Sequence, residues 1–264
     1  MSIDASAVVH PSAVVEPGAV LGAGVRVGPF CVVGPKVVLA ARVELKSHVV
    51  VAGDTEIGED TVVYPFACIG EVPQDLKFRG EASRLQIGAR NRIREYVTMN
   101  PGTEGGGLIT RVGDDCLFMA SAHVAHDAQI GNRVILVNGV AIAGHCVIED
   151  DVLVGGLSGV HQFVRIGRGA IIGGLTMVTA DVIPYGLVQG PRGALEGLNL
   201  IGLKRRGASR EEISELRALY AALGAGNLRE TARQAAEGDT VGPKARDVLD
   251  FILGPSDRSF LSPQ

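Results

Sequence analysis

Residues 3–33, IDASAVVHPSAVVEPGAVLGAGVRVGPFCVV, carry a branched aliphatic at every sixth place: Ile3, Val9, Val15, Leu21, Val27 and Val33. Four places after each comes a small or β-branched residue: Ala7, Ala13, Ala19, Val25, Cys31 and Val37. A period of six suits neither an α-helix nor a simple alternating strand. It suits a hexapeptide β-helix, in which each hexad is one short strand plus a turn. The first and fifth places of each hexad then face the interior. Gly, Asp or Asn near the second place, as in Ile57-Gly58, Val112-Gly113 and Ile130-Gly131, is expected to serve the turn.

The register runs on to Ile69, resumes from Ile87 to Met99, and resumes again from Val112 to Val178. Three hexads complete a triangular coil, so the twenty-seven hexads predict nine coils with strands stacked about 4.8 Å apart. The breaks, residues 75–86 and 105–111, predict loops thrown out of the prism, the usual place for binding in a solenoid. After Pro184 the pattern ends. Ser209 and Glu212 form a capping box, followed by an apolar face of Ile213, Leu216, Tyr220 and Leu223. Weaker helical patterns cover residues 228–237 and 244–253. The reading is an all-β domain over residues 1–185 and an α-helical domain over residues 186–264 that covers the open end of the prism.

Composition narrows the function. The 264 residues carry 25 basic and 29 acidic side chains, a net charge of −4, which argues against a general nucleic-acid binder. No stretch reads as a signal peptide or membrane span, so a cytoplasmic location without stable membrane insertion is expected. The four cysteines are widely spaced, without a CxxC pair. Cys31, Cys116 and Cys146 fall at the fifth place and read as small buried hydrophobes.

Chemistry concentrates in one strip. The hexads beginning at residues 124, 142 and 160 are each one coil apart and share a face. They carry His126, His145, and His161 with Gln162; His123 lies at the corner leading in. None occupies an inward place, so all are expected to point outward. A lone histidine there would only solvate the surface, but four on one strip point to a zinc site, an acid/base site, or an anion-binding groove. His123 and His126 could supply two zinc ligands. Asp127 directly after His126 is better suited to tuning a base.

His123-Val-Ala-His126-Asp127 resembles the signature of the UDP-N-acetylglucosamine O-acyltransferase family. So do Ile69-Gly-Glu-Val-Pro-Gln-Asp-Leu-Lys77, Asn91-Arg-Ile-Arg-Glu95, Ala143-Gly-His145, Val160-His-Gln-Phe163 and Gly202-Leu-Lys-Arg-Arg206. The resemblance runs nearly end to end. It implies a left-handed parallel β-helix assembled as a homotrimer with clefts between subunits. It implies transfer of an R-3-hydroxyacyl group from acyl carrier protein to the glucosamine 3-hydroxyl, the first step of lipid A synthesis. No cofactor is implied beyond the 4′-phosphopantetheine carried by the acyl carrier protein, and no metal. By the resemblance, His126 is the general base, Asp127 orients it, and the Gly144 N–H holds the oxyanion. Asp75, Lys77, His123, His145, His161 and Gln162 bind substrate; Asn199, Arg205 and Arg206 bind the nucleotide. Gly174, with Gly173, sets acyl length, and Lys204, Arg205 and Arg206 dock the acyl carrier protein. Read alone, Lys77 is a solvated loop lysine and Lys204–Arg206 a helix C-terminus that favours cations. Departures from the family pattern at Asn100-Pro101, Arg192 and Ile201 leave the acceptor open between the 3-hydroxyl sugar and its 3-amino analogue.

Overall fold

A computed structural model describes residues 2–238 and 241–263, so residues 1 and 264, the outer limits of the two expected domains, lie outside it. The chain winds into a prism of three parallel sheets. Two have nine strands; the second sheet has eleven. Every expected first-place aliphatic from Ile3 to Val178 ends a strand. Each strand pairs in parallel with the one a coil later, as Ile57 with Ile87 and Val124 with Ile142. First- and fifth-place side chains form one continuous core from Ala19 to Ile172 and beyond. The early coils are less closed: Ile3 is 38% exposed, and Val9 and Val15 pack only partly.

Three expectations need correction. The strands Arg84–Ile87 and Ile109–Val112 each begin three residues ahead of the expected restarts, because Leu85 and Thr110 are themselves inward fifth places. The insertions are therefore residues 70–83 and 100–108. The stack also passes residue 185: Gly186–Gln189 lies parallel against Ile171–Ile172 and turns back antiparallel into Ala194–Leu198. A partial tenth coil thus precedes the helices. Finally, the second-place residue does not supply the turn's positive φ. That falls on the fourth place, where Arg42, His48, Asp60, Asp127 and His145 all have φ of 57–61°. At some second places glycine is needed because the next coil is so close, Gly58 among them, whereas others carry side chains such as Lys46 and Tyr64. A Cβ on Gly58 would stand 2.4 Å from the Gly88 carbonyl carbon.

The fourth places form a column at each corner of the prism. At the first corner, between the first and second sheets, they alternate in charge: Arg42 grips Asp60 at 2.7 Å, Arg90 grips Asp115 at 2.7 Å, and Arg133 grips Asp151 at 2.8 Å. At the second corner, Phe30, His48, Phe66 and Tyr96 stack with centroids 5.0–5.2 Å apart. The third corner, between the third and first sheets, holds Asp127, His145 and Phe163.

Beyond the prism come α1 (Leu200–Arg205), α2 (Arg210–Gly224), α3 (Leu228–Ala236) and α4 (Pro243–Leu253). The expected capping box of α2 is present, Glu212 N donating to Ser209 Oγ and Ser209 N to Glu212 Oε2. The helices close the far end of the stack. Tyr185 donates to Asp247 of α4, and Arg165 of the first sheet lies over the Phe251 ring at 4.3 Å. Cys31, Cys116 and Cys146 are buried, and burial pushes the last two thiols up to about 12. Cys68 is half-buried on the outer face of the third sheet.

If coil spacing dictates glycine at residue 58, Gly58→Ala should cost about 2 kcal/mol through forced separation of two coils. Gly105→Ala, whose Cβ meets nothing within 4 Å, should leave stability nearly unchanged. Urea unfolding of both variants checks this; equal midpoints would count against it.

Candidate active site

The coil places residues eighteen apart one above the other, and the third corner uses this twice. His126 lies over Gly144, and Asp127 over His145. A Cβ at residue 144 would stand 2.5 Å from His126 Cε1, so glycine alone lets the imidazole lie against the next coil. His145 N donates to His126 O at 3.0 Å, locking the two turns together. His126 Nδ1 meets Asp127 Oδ2 at 2.8 Å, and the His145 ring stands edge-on to His126 with centroids 5.0 Å apart. Phe163, one coil further, stacks flat on His145 at 4.4 Å.

The outward direction expected of His126 holds, but its exposure does not. His126 is 5% exposed and Asp127 4%. The second insertion covers them. Thr103 closes over the aspartate, donating from its N to Oδ1 at 2.8 Å and from Oγ1 to Oδ2 at 2.6 Å. Asp127 N donates in turn to Thr110 Oγ1 at 2.7 Å. The sequence does not single out Thr103 and Thr110, and Phe163 enters only as the end of a quoted motif. A threonine in a broken register carries no signal until its loop is folded back.

Beside the pair lies a hollow of about 400 Å³, lined by Gln74, His123, His126, Gly144, His161 and Gln162 among others. Gln74 too went unmarked, although it lies within the quoted loop motif. His123 shares a hydrogen bond with Thr98 Oγ1 at 2.7 Å, from the rung before it. The Gly144 N–H has no intramolecular partner among the described residues. The first insertion brings Asp75 and Lys77 to the same corner, where the field of Lys77, His126 and His145 adds to the Lys77 N–H in holding the Asp75 carboxyl low. Leu76 between them is 96% exposed. Burial is the main cause that lowers the pKa of both His123 and His145; the nearby His126 adds to it.

Other expected residues lie elsewhere on the chain. Asn199 caps α1, accepting from Gly202 N at 2.9 Å, and its Nδ2 donates to Gly169 O at the first corner. Arg206 donates to the same carbonyl, while Lys204 and Arg205 occupy the exposed last turn of α1. These residues are across the first sheet from His126. Gly173 and Gly174 are at the second corner. Within one chain, neither group meets the hollow. The ligand atoms of His126, Asp127 and His145 lie within 4.8 Å of one another, a set that could hold a metal ion. Both Asp127 oxygens are already occupied by Thr103 and His126. No helix among the described residues is long and apolar enough to cross a membrane.

A hexapeptide prism with a buried histidine–aspartate pair on one corner defines a hexapeptide-repeat protein with the groups for acid/base chemistry. Residues 109–144 match the family model described as bacterial transferase hexapeptide (six repeats). Residues 181–261 match the second domain of UDP-N-acetylglucosamine O-acyltransferase. The chain is 77% identical over 202 residues to acyl-[acyl-carrier-protein]--UDP-N-acetylglucosamine O-acyltransferase of Paracoccus denitrificans, covering 76% of this chain and 77% of that one. To the protein of the same name from Agrobacterium fabrum it is 48% identical, covering 81% and 80%. The solved UDP-N-acetylglucosamine acyltransferase from Campylobacter jejuni superposes with a TM-score of 0.91 at 35% identity, covering 97% of this chain and 100% of that one. The chain belongs to the UDP-N-acetylglucosamine O-acyltransferase family and is an acyltransferase.

The buried histidines give stability a pH dependence. A ring whose pKa is lowered by folding binds its proton more readily in the unfolded chain. The stability tied to neutral His123 and His145 is therefore complete above the ordinary imidazole value of 6.5 and drains away as pH falls below it. Asp60, Asp115 and Asp151, held low chiefly by their hydrogen bonds to arginine, lose their contributions only below 3.8. Melting temperature should drop between pH 7.5 and 5.5, and the drop should shrink in the double variant His123→Gln, His145→Gln. Parallel melting curves for the two proteins would contradict this.

Proposed function

We propose that the chain transfers an R-3-hydroxyacyl group from acyl carrier protein to the 3-hydroxyl of UDP-N-acetylglucosamine, in lipid A synthesis, with His126 as general base. The reading rests on the 2.8 Å contact between His126 Nδ1 and Asp127. A carboxylate held by two Thr103 donors can only accept from the ring, so the proton sits on Nδ1 and Nε2 keeps its lone pair. Nε2 takes the proton of the sugar hydroxyl as that oxygen attacks the thioester carbonyl. The Gly144 N–H, which has no partner among the described residues, receives the charge that develops on the carbonyl oxygen. Collapse expels the phosphopantetheine thiolate, which takes the proton back from His126. Water-poor surroundings strengthen each of these interactions.

Asp75, Lys77, His123, His145, His161 and Gln162 bind the sugar and its phosphates around the hollow. The reading assigns Asn199, Arg205 and Arg206 to the nucleotide, Lys204 with the two arginines to the acidic acyl carrier protein, and Gly173 with Gly174 to the acyl chain. Since these lie at other corners, it takes a homotrimer in which an adjacent copy completes each cleft.

His126→Ala should remain folded, because Asp127 keeps both Thr103 donors. It should lose transfer by about 10³-fold. Asp127→Asn should lose a comparable amount, because a carboxamide can donate to Nδ1 and turn the ring to the wrong tautomer. A mass-spectrometric assay with UDP-N-acetylglucosamine, its 3-amino analogue and a ladder of 3-hydroxyacyl carrier proteins reads rate, acceptor and chain length together. Near wild-type transfer by His126→Ala would overturn the base.

A further inference from the structure

His161 lines the same hollow as His126, but its ring is held from the other side. The holder is Arg258, in the tail that follows α4. That tail is fastened to the end of the prism at Asp181, which is fully buried. Asp181 accepts from Arg165 Nε at 2.7 Å and from Ser256 Oγ at 2.7 Å. Its own N–H donates to Ser259 O at 2.8 Å, and Leu261 N donates back to Asp181 O at 2.9 Å. Arg258 N is tied to Ser256 Oγ at 3.0 Å. From this anchored backbone the guanidinium reaches the third corner and forks. Nη2 lies 2.7 Å from His161 Nδ1, and Nε lies 3.0 Å from Gln162 O.

A guanidinium has donors and no acceptor. The atom it meets on His161 must therefore be a bare lone pair, which leaves the proton of the neutral ring on Nε2. Asp127 does the reverse to His126. We propose that Arg258 is a positioning residue that fixes His161 as a hydrogen-bond donor into the hollow, while Asp127 fixes His126 as an acceptor. Two chemically identical rings are thereby given opposite tasks. The consequence for catalysis rests on the acyl-transfer reading, in which a donor beside the base faces substrate oxygens; the tautomer itself does not.

The competing arrangement is visible. His161 Nδ1 lies 3.4 Å from Gln162 O, a carbonyl that would accept a proton from it. Arg258 blocks that exchange by occupying both partners at once. Remove the fork, and the ring gains a reason to move its proton to Nδ1.

The test uses the full-length protein labelled with ¹⁵N in its histidine rings, at a pH where the rings are neutral. Wild type should show His161 with Nε2 protonated. Arg258→Met, which keeps the stem and loses the donors, should move signal toward the Nδ1-protonated form. Its kcat/KM should fall about tenfold, the effect of one misdirected hydrogen bond. Arg258→Lys, which can still donate to Nδ1, should restore part of both. In a His161→Ala background, Arg258→Met should cause little further loss. An unchanged His161 tautomer in Arg258→Met would overturn the proposal. So would full activity despite a changed tautomer, or an undiminished loss in the His161→Ala background. Absence of transfer to UDP-N-acetylglucosamine by wild type would instead fault the functional reading and leave the tautomer result standing.

Discussion

Eighteen residues make one coil, and two residues eighteen apart are therefore neighbours. Almost every feature of this molecule follows from that equality. The aliphatic core is a column of first places beside a column of fifth places. The Arg–Asp pairs at the first corner each join one coil to the next. Gly144 lies against His126 for the same reason, and His145 reaches Asp127's neighbourhood because it follows it by one winding. Stability in such a stack is largely a sum of nearest-neighbour terms. The site at one corner is thus supported mainly by the coils directly before and after it.

The reading from sequence reached far because this geometry is periodic. First-place aliphatics from Ile3 to Val178 can be counted, and the corner shared by residues 126, 145 and 161 follows from the register alone. It failed where the period lapses. Leu85 and Thr110 were left outside their strands because a single inward residue cannot be told from a loop residue. The partial tenth coil escaped because Val182 pairs with Ile166 and Val188 with Ile172 at a spacing of sixteen, two short of a full winding. The loop partners Thr103 and Gln74, and the tail residue Arg258, contact the site through folds in the chain that no repeat encodes. The assignment of residues to roles came from the family resemblance and not from the register.

The three corners divide labour. Fourth places carry salt bridges at one, stacked rings at another, and the histidine–aspartate chemistry at the third. All three use the same backbone conformation with positive φ, an uncommon one for residues other than glycine. Here the hydrogen bonds of the coils above and below impose it. Asp127 and His145 therefore sit on a rigid backbone, and the loop that covers them adds hydrogen bonds rather than shape. A buried carboxylate is tolerable because its oxygens are met by Thr103 and His126.

The distribution of sulfur gives the protein a convenient handle. Three of the thiols are sealed inside the prism, and burial keeps them poorly ionised. Cys68 alone reaches the outer face of the third sheet, in the column that continues through Thr98 to His123. A maleimide dye would attach there, slowly but at one address. It would lie about 10 Å, or two rungs, from the His123 imidazole that lines the hollow. Natural sequence thus already contains the attachment point for an optical reporter of occupancy.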